Sequence, residues 1–397
     1  MNSFKPIIKS MLDDDLYKFT MCQAVCEKYP HAQAKYIFIN RGNTKFPIGF
    51  EKALQNQIKT LKELLLLKCE AEWLQKTCPF LTPVFIDFLM GYRYNPEEVS
   101  IQITGTGELC LSIEGPWYRT ILWEVKLMAI ISELYFKMNN NISEYNILNA
   151  IGKTIRKGQA VTRNKLQVAD FGTRRRAKES HHNQIVRILK GYGKEYFSGT
   201  SNMNLAYQYN IKPIGTQGHE WIMFHAAKYG YKEANRTALR KWVEVYHGNL
   251  GIALSDTFTT DIFFKSFGSK YAKLFDGVRH DSGNPLDFGY NVINHYKKLG
   301  IDPKTKTIVF SDGLNIDLAI KLNKTFSSII KCSFGIGTNL TNDIEGIEPL
   351  NIVIKMSECK PYGESEWLPV VKLSDTEGKH TGTQEEVKLC KQSLQIL

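Results

Sequence analysis

The central part of the chain repeats one arrangement of apolar and polar positions. In each repeat a short, β-branched apolar run ends abruptly in Gly, Asp, Ser or Arg, and a stretch with helical spacing follows. The repeat occurs at VADFGTRRR (168–176), YFSGTSN (196–202), KPIGTQGHEW (212–221), IALSDT (252–257), DGVRHDSGNP (276–285), IVFSDGLN (308–315) and CSFGIGTN (332–339). Alternating strand, polar loop and helix predicts a parallel α/β sheet. Because the carboxyl ends of such strands converge, the polar loops are expected to meet at one site.

The first part of the chain follows a different pattern. A helix is expected from the cluster Asp13–Asp15 to Pro30, since carboxylates favour a helix amino terminus. Later segments predict a strand at 34–41, a helix at about 50–67, a hairpin of strands 99–104 and 108–113, a long helix opening at Pro116, and two tail strands at 351–356 and 370–375. We therefore predict an amino-terminal α/β domain, residues 1–140 joined by 350–397, and a barrel domain, 141–349, that carries the active site.

Composition narrows the class of protein. The chain has 397 residues, of which 43% are hydrophobic and 23% charged, as in ordinary globular proteins. No apolar run approaches the ~18 residues of a membrane span and the amino terminus lacks a signal-peptide core, so a cytoplasmic location is expected. The eight cysteines form no C-x-x-C pair and are expected to be reduced thiols. The net charge of +11 comes mainly from scattered lysines, which favours a solvated surface or a small polyanionic substrate over nucleic acid.

The loop HDSGNP (280–285) holds two kinds of residue. Asn284 and Pro285 suit the start of a helix and need no further role. Arg279 and Asp281 flank the end of the strand and are not explained by capping. Asp281 is suited to ribose hydroxyls, to a magnesium ion, or to both.

Two glycine-rich loops are candidates for a phosphate site. Gly337 and Thr338 follow one predicted strand and Gly313 follows another, so backbone amides there can approach an anion closely. A third strand leads into Phe171 and Arg174. The ring offers a stacking surface for a flat heterocycle, and the guanidinium offers two parallel donors to a carboxylate.

The histidines differ in their surroundings. His219 lies among the polar loops and is suited to be a general base, a nucleophile or a phosphoryl acceptor. His181 and His182 fall on an amphipathic helix and are expected at the surface. The alternative for the arginines is pairing with acidic residues of a neighbouring subunit, which fits Arg175 and Arg176 better than Arg174.

In this order, DDDLYKFTM (13–21), DFGTRRR, YFSGTSN, GTQGHEW, RHDSGNP, FGIGTN and LNIVIK closely resemble the bacterial nicotinate phosphoribosyltransferase family, over about residues 8–375. The resemblance implies an irregular seven-stranded α/β barrel with an additional amino-terminal α/β domain, and a head-to-tail homodimer with shared active sites. It implies a reaction of NAD biosynthesis, in which nicotinate and phosphoribosyl pyrophosphate give nicotinate mononucleotide and pyrophosphate while ATP is hydrolysed. No nucleic-acid or membrane partner is implied.

The resemblance also implies residue roles. His219 would be phosphorylated by ATP, and Asp256 and Asp281 would be catalytic residues and ligands of Mg²⁺. Phe171 and a partner chain's Tyr17 would sandwich the pyridine ring. The other substrate-binding positions would be those near the carboxylate, the base, the ribose and the phosphates: Arg174, Thr200, Ser201, Thr216, Arg279, Gly313, Gly337 and Thr338.

Two positions bear on the substrate, and three alternatives remain open. Asn284 stands where many nicotinate enzymes have Asp and resembles nicotinamide-using relatives. Ser201 favours nicotinate, because those relatives have an Asp there that would repel a carboxylate. The alternatives are nicotinamide or quinolinate phosphoribosyl transfer, an inactive RNA-binding barrel, and an aldolase-like barrel with a Schiff-base lysine. The last finds no lysine at a predicted strand end, because Lys355 is placed outside them.

Overall fold

The computed structural model describes residues 4–396, so the outermost residues of the predicted amino-terminal domain, 1–3 and 397, lie outside it. The described chain forms two sheets surrounded by helices. The strands are β1 (Gln33–Asn40), β2 (Val99–Ile103), β3 (Leu109–Pro116), β4 (Val168–Asp170), β5 (Phe197–Thr200), β6 (Ile252–Leu254), β7 (Gly277–His280), β8 (Thr307–Phe310), β9 (Lys331–Ile336), β10 (Ile352–Lys360) and β11 (Leu368–Pro369).

The α-helices alternate with the strands of the second sheet and cluster before and after those of the first. They are α1 (Leu16–Lys28), α2 (Phe50–Leu61), α3 (Lys68–Thr77), α4 (Pro83–Gly91), α5 (Trp117–Thr120), α6 (Trp123–Asn139), α7 (Glu144–Arg163), α8 (Glu179–Gly193), α9 (Met203–Tyr209), α10 (His219–Tyr229), α11 (Tyr231–Tyr246), α12 (Thr260–Ser266), α13 (Ser269–Leu274), α14 (Pro285–Lys298), α15 (Ile316–Phe326), α16 (Thr338–Thr341) and α17 (Gln384–Leu394). Within residues 4–396, no helix combines the length and the apolar character that crossing a bilayer requires.

The first sheet is antiparallel, with strand order β11-β10-β1-β3-β2. The tail strand β10 pairs along the whole of β1, from Gln33 opposite Lys360 to Asn40 opposite Ile352. The predicted tail strand at 370–375 is wrong: β11 ends at Pro369, and Lys372 forms only an isolated bridge with Thr381.

Two helix predictions for the first part of the chain need correction. The predicted helix from Pro116 is two helices, α5 and α6, with Ile121 and Leu122 between them. The first helix begins at Leu16, and the side chain of its preceding residue, Asp15, makes no capping hydrogen bond. The three aspartates are buried and are used in tertiary contacts rather than as exposed caps.

The second sheet is parallel, as its repeating pattern predicts, with strand order β5-β4-β9-β8-β7-β6. Six of the seven repeats contribute a strand. The remaining repeat contributes one parallel bridge, between Thr200 and Pro213. Proline has no N–H to donate, so this segment is poorly suited to a longer ladder. The α/β class is therefore confirmed, whereas the described hydrogen bonds join six strands and one bridge.

Helix α6 connects the two sheets, and this places the site. It contacts both β10 of the first sheet and the short turn Thr173–Arg175 that follows β4. Nearly all of α6 is buried, including the charged residues Glu124, Lys126 and Glu133. Buried charges require partners, so this helix carries ion pairs between the two parts of the molecule.

Candidate active site

Two adjoining cavities open at the carboxyl ends of the parallel strands. The first, of about 750 Å³, is lined by eight of the predicted site residues: Tyr17, Phe171, Arg174, Ser201, Thr216, His219, Arg279 and Asp281. The second, of about 1380 Å³, is lined by Gly313, Gly337 and Thr338, and again by Arg174 and Asp281. The two cavities therefore share walls and form one site, as convergence of the strand ends requires.

Two predicted residues lie behind the cavity walls. Asp256 is fully buried and contacts His219 from outside the first cavity. Thr200 is also fully buried, and its hydroxyl donates to Asp170 at 2.6 Å. The sequence predicted that Thr200 lies near the pyridine base. In the structure Thr200 is at the end of β5, where its hydroxyl supports Asp170.

His219 is the first residue of α10, and Asp256 holds its ring. The His219 Nε2 atom lies 2.9 Å from Asp256 Oδ1 and 3.5 Å from Asp281 Oδ2. Burial, reinforced by Lys372, lowers the pKa of His219 to about 4. The pKa of Asp256 lies well below its usual value, because His219 and Lys372 outweigh the effect of burial.

The lowered pKa values of His219 and Asp256 together indicate which imidazole nitrogen carries the proton. A neutral His219 beside an ionised Asp256 carries its proton on Nε2 and donates it to the carboxylate. Among the described residues, none makes a hydrogen bond to Nδ1. The lone pair of Nδ1 is therefore available as a nucleophile.

Arg279 is held by several polar groups. Its Nε donates to Ser311 at 2.8 Å, one Nη to Thr216 at 2.5 Å, and the other to Asp281 Oδ1 at 2.7 Å. Burial raises the pKa of Asp281, but Arg279, His219 and Lys372 together outweigh it and the net shift is downward. An ionised Asp281 beside a fixed guanidinium is suited to bind hydroxyls and phosphate oxygens together.

The aromatic rings of the first cavity come from one chain. Phe171 packs over Gly335, where an added Cβ would lie 2.3 Å from the Phe171 ring. Glycine is thus required for the ring to take this place. Tyr17 of the same chain also lines this cavity.

Arg174 lies on the turn Thr173–Arg175, beside Glu124 of α6. Its Nη1 donates to Glu124 Oε1 at 3.2 Å. The other oxygen of Glu124 lies 2.6 Å from Lys18 Nζ. Neither Glu124 nor Lys18 was a candidate from the sequence, since they come from segments that read as ordinary helix.

The second cavity is rich in positive charge. Its lining includes the side chains of Arg41, Arg175, Lys355, Lys372 and Lys379. Gly313 has φ +59°, a left-handed conformation that glycine adopts without strain. Cations around such backbone are typical of a site for a phosphorylated ligand.

Lys355 lies on β10, outside the parallel strands as expected, yet it is a site residue that the sequence analysis did not name. It lines both cavities, and burial, together with Lys372 and Arg174, lowers its pKa to about 8. In the part of the chain that the structure describes, its ammonium group has no ion-pair or hydrogen-bond partner. The position follows from β10, which the first sheet places beside the parallel strands.

Two expectations are wrong. His181 and His182 are buried, not on the surface, and His182 Nε2 lies 2.6 Å from Asp170 Oδ2. Arg176 pairs with Asp13 of its own chain. Arg175 lines the second cavity, and its pairing with a neighbouring subunit stays a prediction. The partners of His182 and Arg176 lie elsewhere in the sequence and are brought close only by folding.

Three side chains offer ligand atoms for a metal ion. The ligand atoms of His219, Asp256 and Asp281 lie within 4.8 Å of one another. Both oxygens of Asp256 are engaged, one by His219 and the other by Ser282 and Lys372. Asp281 Oδ2 faces the ring of His219 at 3.5 Å. Because Mg²⁺ favours a few carboxylate oxygens completed by substrate oxygens, the donor set fits an ion held through Asp281 better than one held through Asp256.

Fold and site together define the class of this protein. It is an α/β protein whose ligand site, at the carboxyl ends of parallel strands, joins an aromatic cavity to a cationic one. Residues 166–396 match the family model described as the nicotinate phosphoribosyltransferase (NAPRTase) family, and residues 12–132 match the model of its N-terminal domain. The chain belongs to the nicotinate phosphoribosyltransferase family, which confirms the resemblance seen in the motifs.

Relatives match along nearly their whole length. A nicotinate phosphoribosyltransferase of Desulforapulum autotrophicum is 52% identical over 388 residues, 97% of this chain and 98% of the relative. One of Chromohalobacter salexigens is 48% identical and covers 98% and 99%. The crystal structure of nicotinate phosphoribosyltransferase from Porphyromonas gingivalis superposes with a TM-score of 0.96 at 43% identity, covering 98% of this chain and all of that one.

Proposed function

We propose that the chain transfers a phosphoribosyl group from phosphoribosyl pyrophosphate to nicotinate, coupled to ATP hydrolysis through a phosphohistidine. The observation that carries the proposal is the shared wall: Arg174 and Asp281 line both the aromatic and the cationic cavity. A pyridine in the first cavity and a phosphorylated sugar in the second would meet there. Proximity of two aligned reactants lowers the barrier to their reaction.

The phosphoribosyl transfer needs no general base. The lone pair of the pyridine nitrogen forms the new N–C bond at the anomeric carbon, and the C–O bond to pyrophosphate breaks with its electrons leaving on oxygen. Phe171 and Tyr17 hold the ring, and Arg174 binds the carboxylate. Asp281 and Arg279 bind the ribose and the leaving group.

The remaining candidates take supporting or phosphate-binding places in this proposal. Ser201 and Thr216 face the base, and Thr200 holds the loop beneath it. Backbone amides at Gly313, Gly337 and Thr338 receive the 5′-phosphate.

His219 accepts the phosphoryl group of ATP in this proposal. Nδ1 attacks the terminal phosphorus, the P–O bond to ADP breaks, and the phosphoryl group is left on Nδ1. The proton on Nε2 remains in its hydrogen bond to Asp256, which stabilises the positive charge on the ring. The added phosphoryl group brings negative charge into the site, where it can strengthen metal binding and so the binding of the sugar.

Magnesium is part of the proposal. Asp281 would hold the ion together with phosphate oxygens, while Asp256 keeps His219 in place. When bound, Mg²⁺ neutralises charge that develops on the departing pyrophosphate. The guanidinium of Arg279 lies beside the carboxylate of Asp281 and would also stabilise the negative charge on the departing pyrophosphate.

We also propose three further features that the family resemblance implies. These are closure of the parallel strands with the Pro213 segment into a seven-stranded barrel, assembly as a homodimer, and a cytoplasmic location. The bridge between Thr200 and Pro213 supports the first.

Turnover assays test the proposed function. The full chain is incubated with nicotinate, phosphoribosyl pyrophosphate and Mg²⁺, with and without ATP, and nucleotide and pyrophosphate are measured. We expect nicotinate mononucleotide, faster formation with ATP, and acid-labile label on the protein from γ-labelled ATP. His219→Asn should abolish both the label and the ATP effect. Preference for nicotinamide or quinolinate in competition would overturn the substrate assignment.

A further inference from the structure

Arg174 stands at one end of a buried series of charges. Glu124 accepts from Arg174 through Oε1 and contacts Lys18 Nζ through Oε2, at 2.6 Å. The Lys18 ammonium group also donates to Glu220 Oε1 at 2.5 Å. Glu220 Oε2 accepts from the hydroxyl of Tyr36 at 2.6 Å. Helices α1, α6 and α10 thus meet at one ammonium group, and Glu220 connects them to β1.

Lys18 can affect a ligand only through its neighbours. Its side chain is fully buried and does not line either cavity. Arg174, Glu124 and Glu220 do line the first cavity. Lys18 is therefore a candidate positioning residue rather than a binding residue.

The charges in this series decide how the first cavity receives an anion. Burial raises the pKa of Glu124, but Lys18 and Arg174 outweigh it and bring the pKa to about 2. An ionised Glu124 alone would cancel the charge of Arg174. Lys18, which contacts both Glu124 and Glu220, restores positive charge behind Arg174.

We propose that Lys18 and Glu124 are positioning residues that fix the direction of the Arg174 guanidinium and set the net charge behind it, and so determine the choice of an acid-bearing pyridine over an uncharged one. The proposal rests on the function proposed above. It assigns selectivity to a buried pair in which Lys18 lines neither cavity.

Replacing Lys18 by Met tests the charge directly. The variant keeps a similar volume but leaves Glu124 to neutralise Arg174. We expect the KM for nicotinate to rise about tenfold, while inhibition by nicotinamide, which carries no charge, changes by less than about twofold. Direct titration with each pyridine gives the same comparison without turnover.

The double variant Lys18→Met with Glu124→Gln supplies the decisive comparison. It removes both members of the pair, so Arg174 regains its uncompensated positive charge. We expect the KM for nicotinate to return to within about threefold of the unmodified chain. A merely structural role predicts that the double variant binds nicotinate as weakly as Lys18→Met or more weakly. That result, or parallel weakening of both pyridines in Lys18→Met, would overturn the proposal.

Matched controls come from the same helix as Glu124. Lys126 is fully buried against Asp14, and Glu133 is buried against Lys137; neither lines the two cavities. Lys126→Met and Glu133→Gln are expected to lower stability without changing the ratio of nicotinate to nicotinamide binding. A ratio that falls about tenfold in these variants as well would assign the effect to general loosening and reject the proposal.

A variant that does not fold and a chain that does not turn over can each be distinguished from a failure of this inference. If Lys18→Met does not fold, Lys18→Gln removes the charge while keeping hydrogen bonds, and the same rescue is required of its double variant. A chain that binds nicotinate but forms no nucleotide overturns the proposed function, and the binding titrations still decide the roles of Lys18 and Glu124. A chain that forms the nucleotide but shows no charge rescue overturns only the inference.

Discussion

Asp13 and Arg176 form a two-pronged ion pair in which both nitrogen–oxygen distances are 2.7 Å. Their side chains are 3% and 1% exposed, and Asn202 also donates to Asp13, at 2.8 Å. The pair joins the segment before α1 to the loops after β4 and β5. It therefore fixes the amino-terminal segment, with Tyr17, against the parallel sheet.

Asp13→Asn should destabilise the fold, because it leaves the buried guanidinium of Arg176 without its counter-charge. Breaking such a pair costs about 3 kcal/mol. Urea unfolding of the variant and of the unmodified chain measures the difference. A double variant, Asp13→Asn with Arg176→Met, should recover part of the loss; equal stability of Asp13→Asn and the unmodified chain would show that the pair does not stabilise the protein.

Gly335→Ala is expected to weaken nicotinate binding without touching the ligand. The new Cβ would lie 2.3 Å from Phe171 Cε2, so the ring must move from its place in the first cavity. We expect the KM for nicotinate to rise roughly tenfold, the loss of about 1.4 kcal/mol that one aromatic contact can supply. Gly91→Ala, where an added Cβ meets nothing within 4 Å, is the control. An unchanged KM for nicotinate in Gly335→Ala would argue against Phe171 as the stacking surface.

Arg174→Gln should separate the two substrates. The loss of a charged donor pair to a carboxylate is worth about 2 kcal/mol, roughly thirtyfold in affinity. We expect the KM for nicotinate to rise by that factor and the KM for phosphoribosyl pyrophosphate to change much less. Because Arg174 also lines the second cavity, steady-state kinetics with each substrate varied in turn is the required measurement. Equal effects would reassign Arg174 to the phosphates.

His181 predicts a dependence of stability on pH. It is 2% exposed, both ring nitrogens lack partners among the described residues, and burial, reinforced by His182, lowers its pKa to about 4. An unfolded histidine takes up its proton near pH 6.5. The unfolded state therefore binds more protons between pH 6.5 and about 4, and stability falls as pH falls through this window.

His181→Leu should reduce the dependence of the unfolding free energy on pH by the contribution of one histidine. Thermal unfolding between pH 8 and 4 measures it, and His225, whose pKa burial lowers to about 3, should account for a similar remaining slope. At pH 8 the two chains should differ only through packing. Identical slopes would mean that His181 does not remain neutral in the fold.

Much of the site could be predicted from the sequence because its residues lie in repeated local contexts. Arg279 lies in β7, Asp281 directly follows β7, and His219 follows the apolar segment at Pro213; parallel strands bring their carboxyl ends together. The repeat at Pro213 has the same apolar pattern, yet it forms a single bridge and no strand. The apolar pattern predicts burial, but a ladder also requires N–H donors, which proline lacks.

The sequence by itself determined the parallel α/β class, the family and the loops that line the site, since these depend on the local period of apolar residues and on motifs a few residues long. Only the tertiary structure decided which charges meet. Lys18 and Glu220 are 202 positions apart, and Asp13 and Arg176 are 163 apart. Coulombic attraction depends on distance in space and on burial, and neither is visible in the order of residues before the chain has folded.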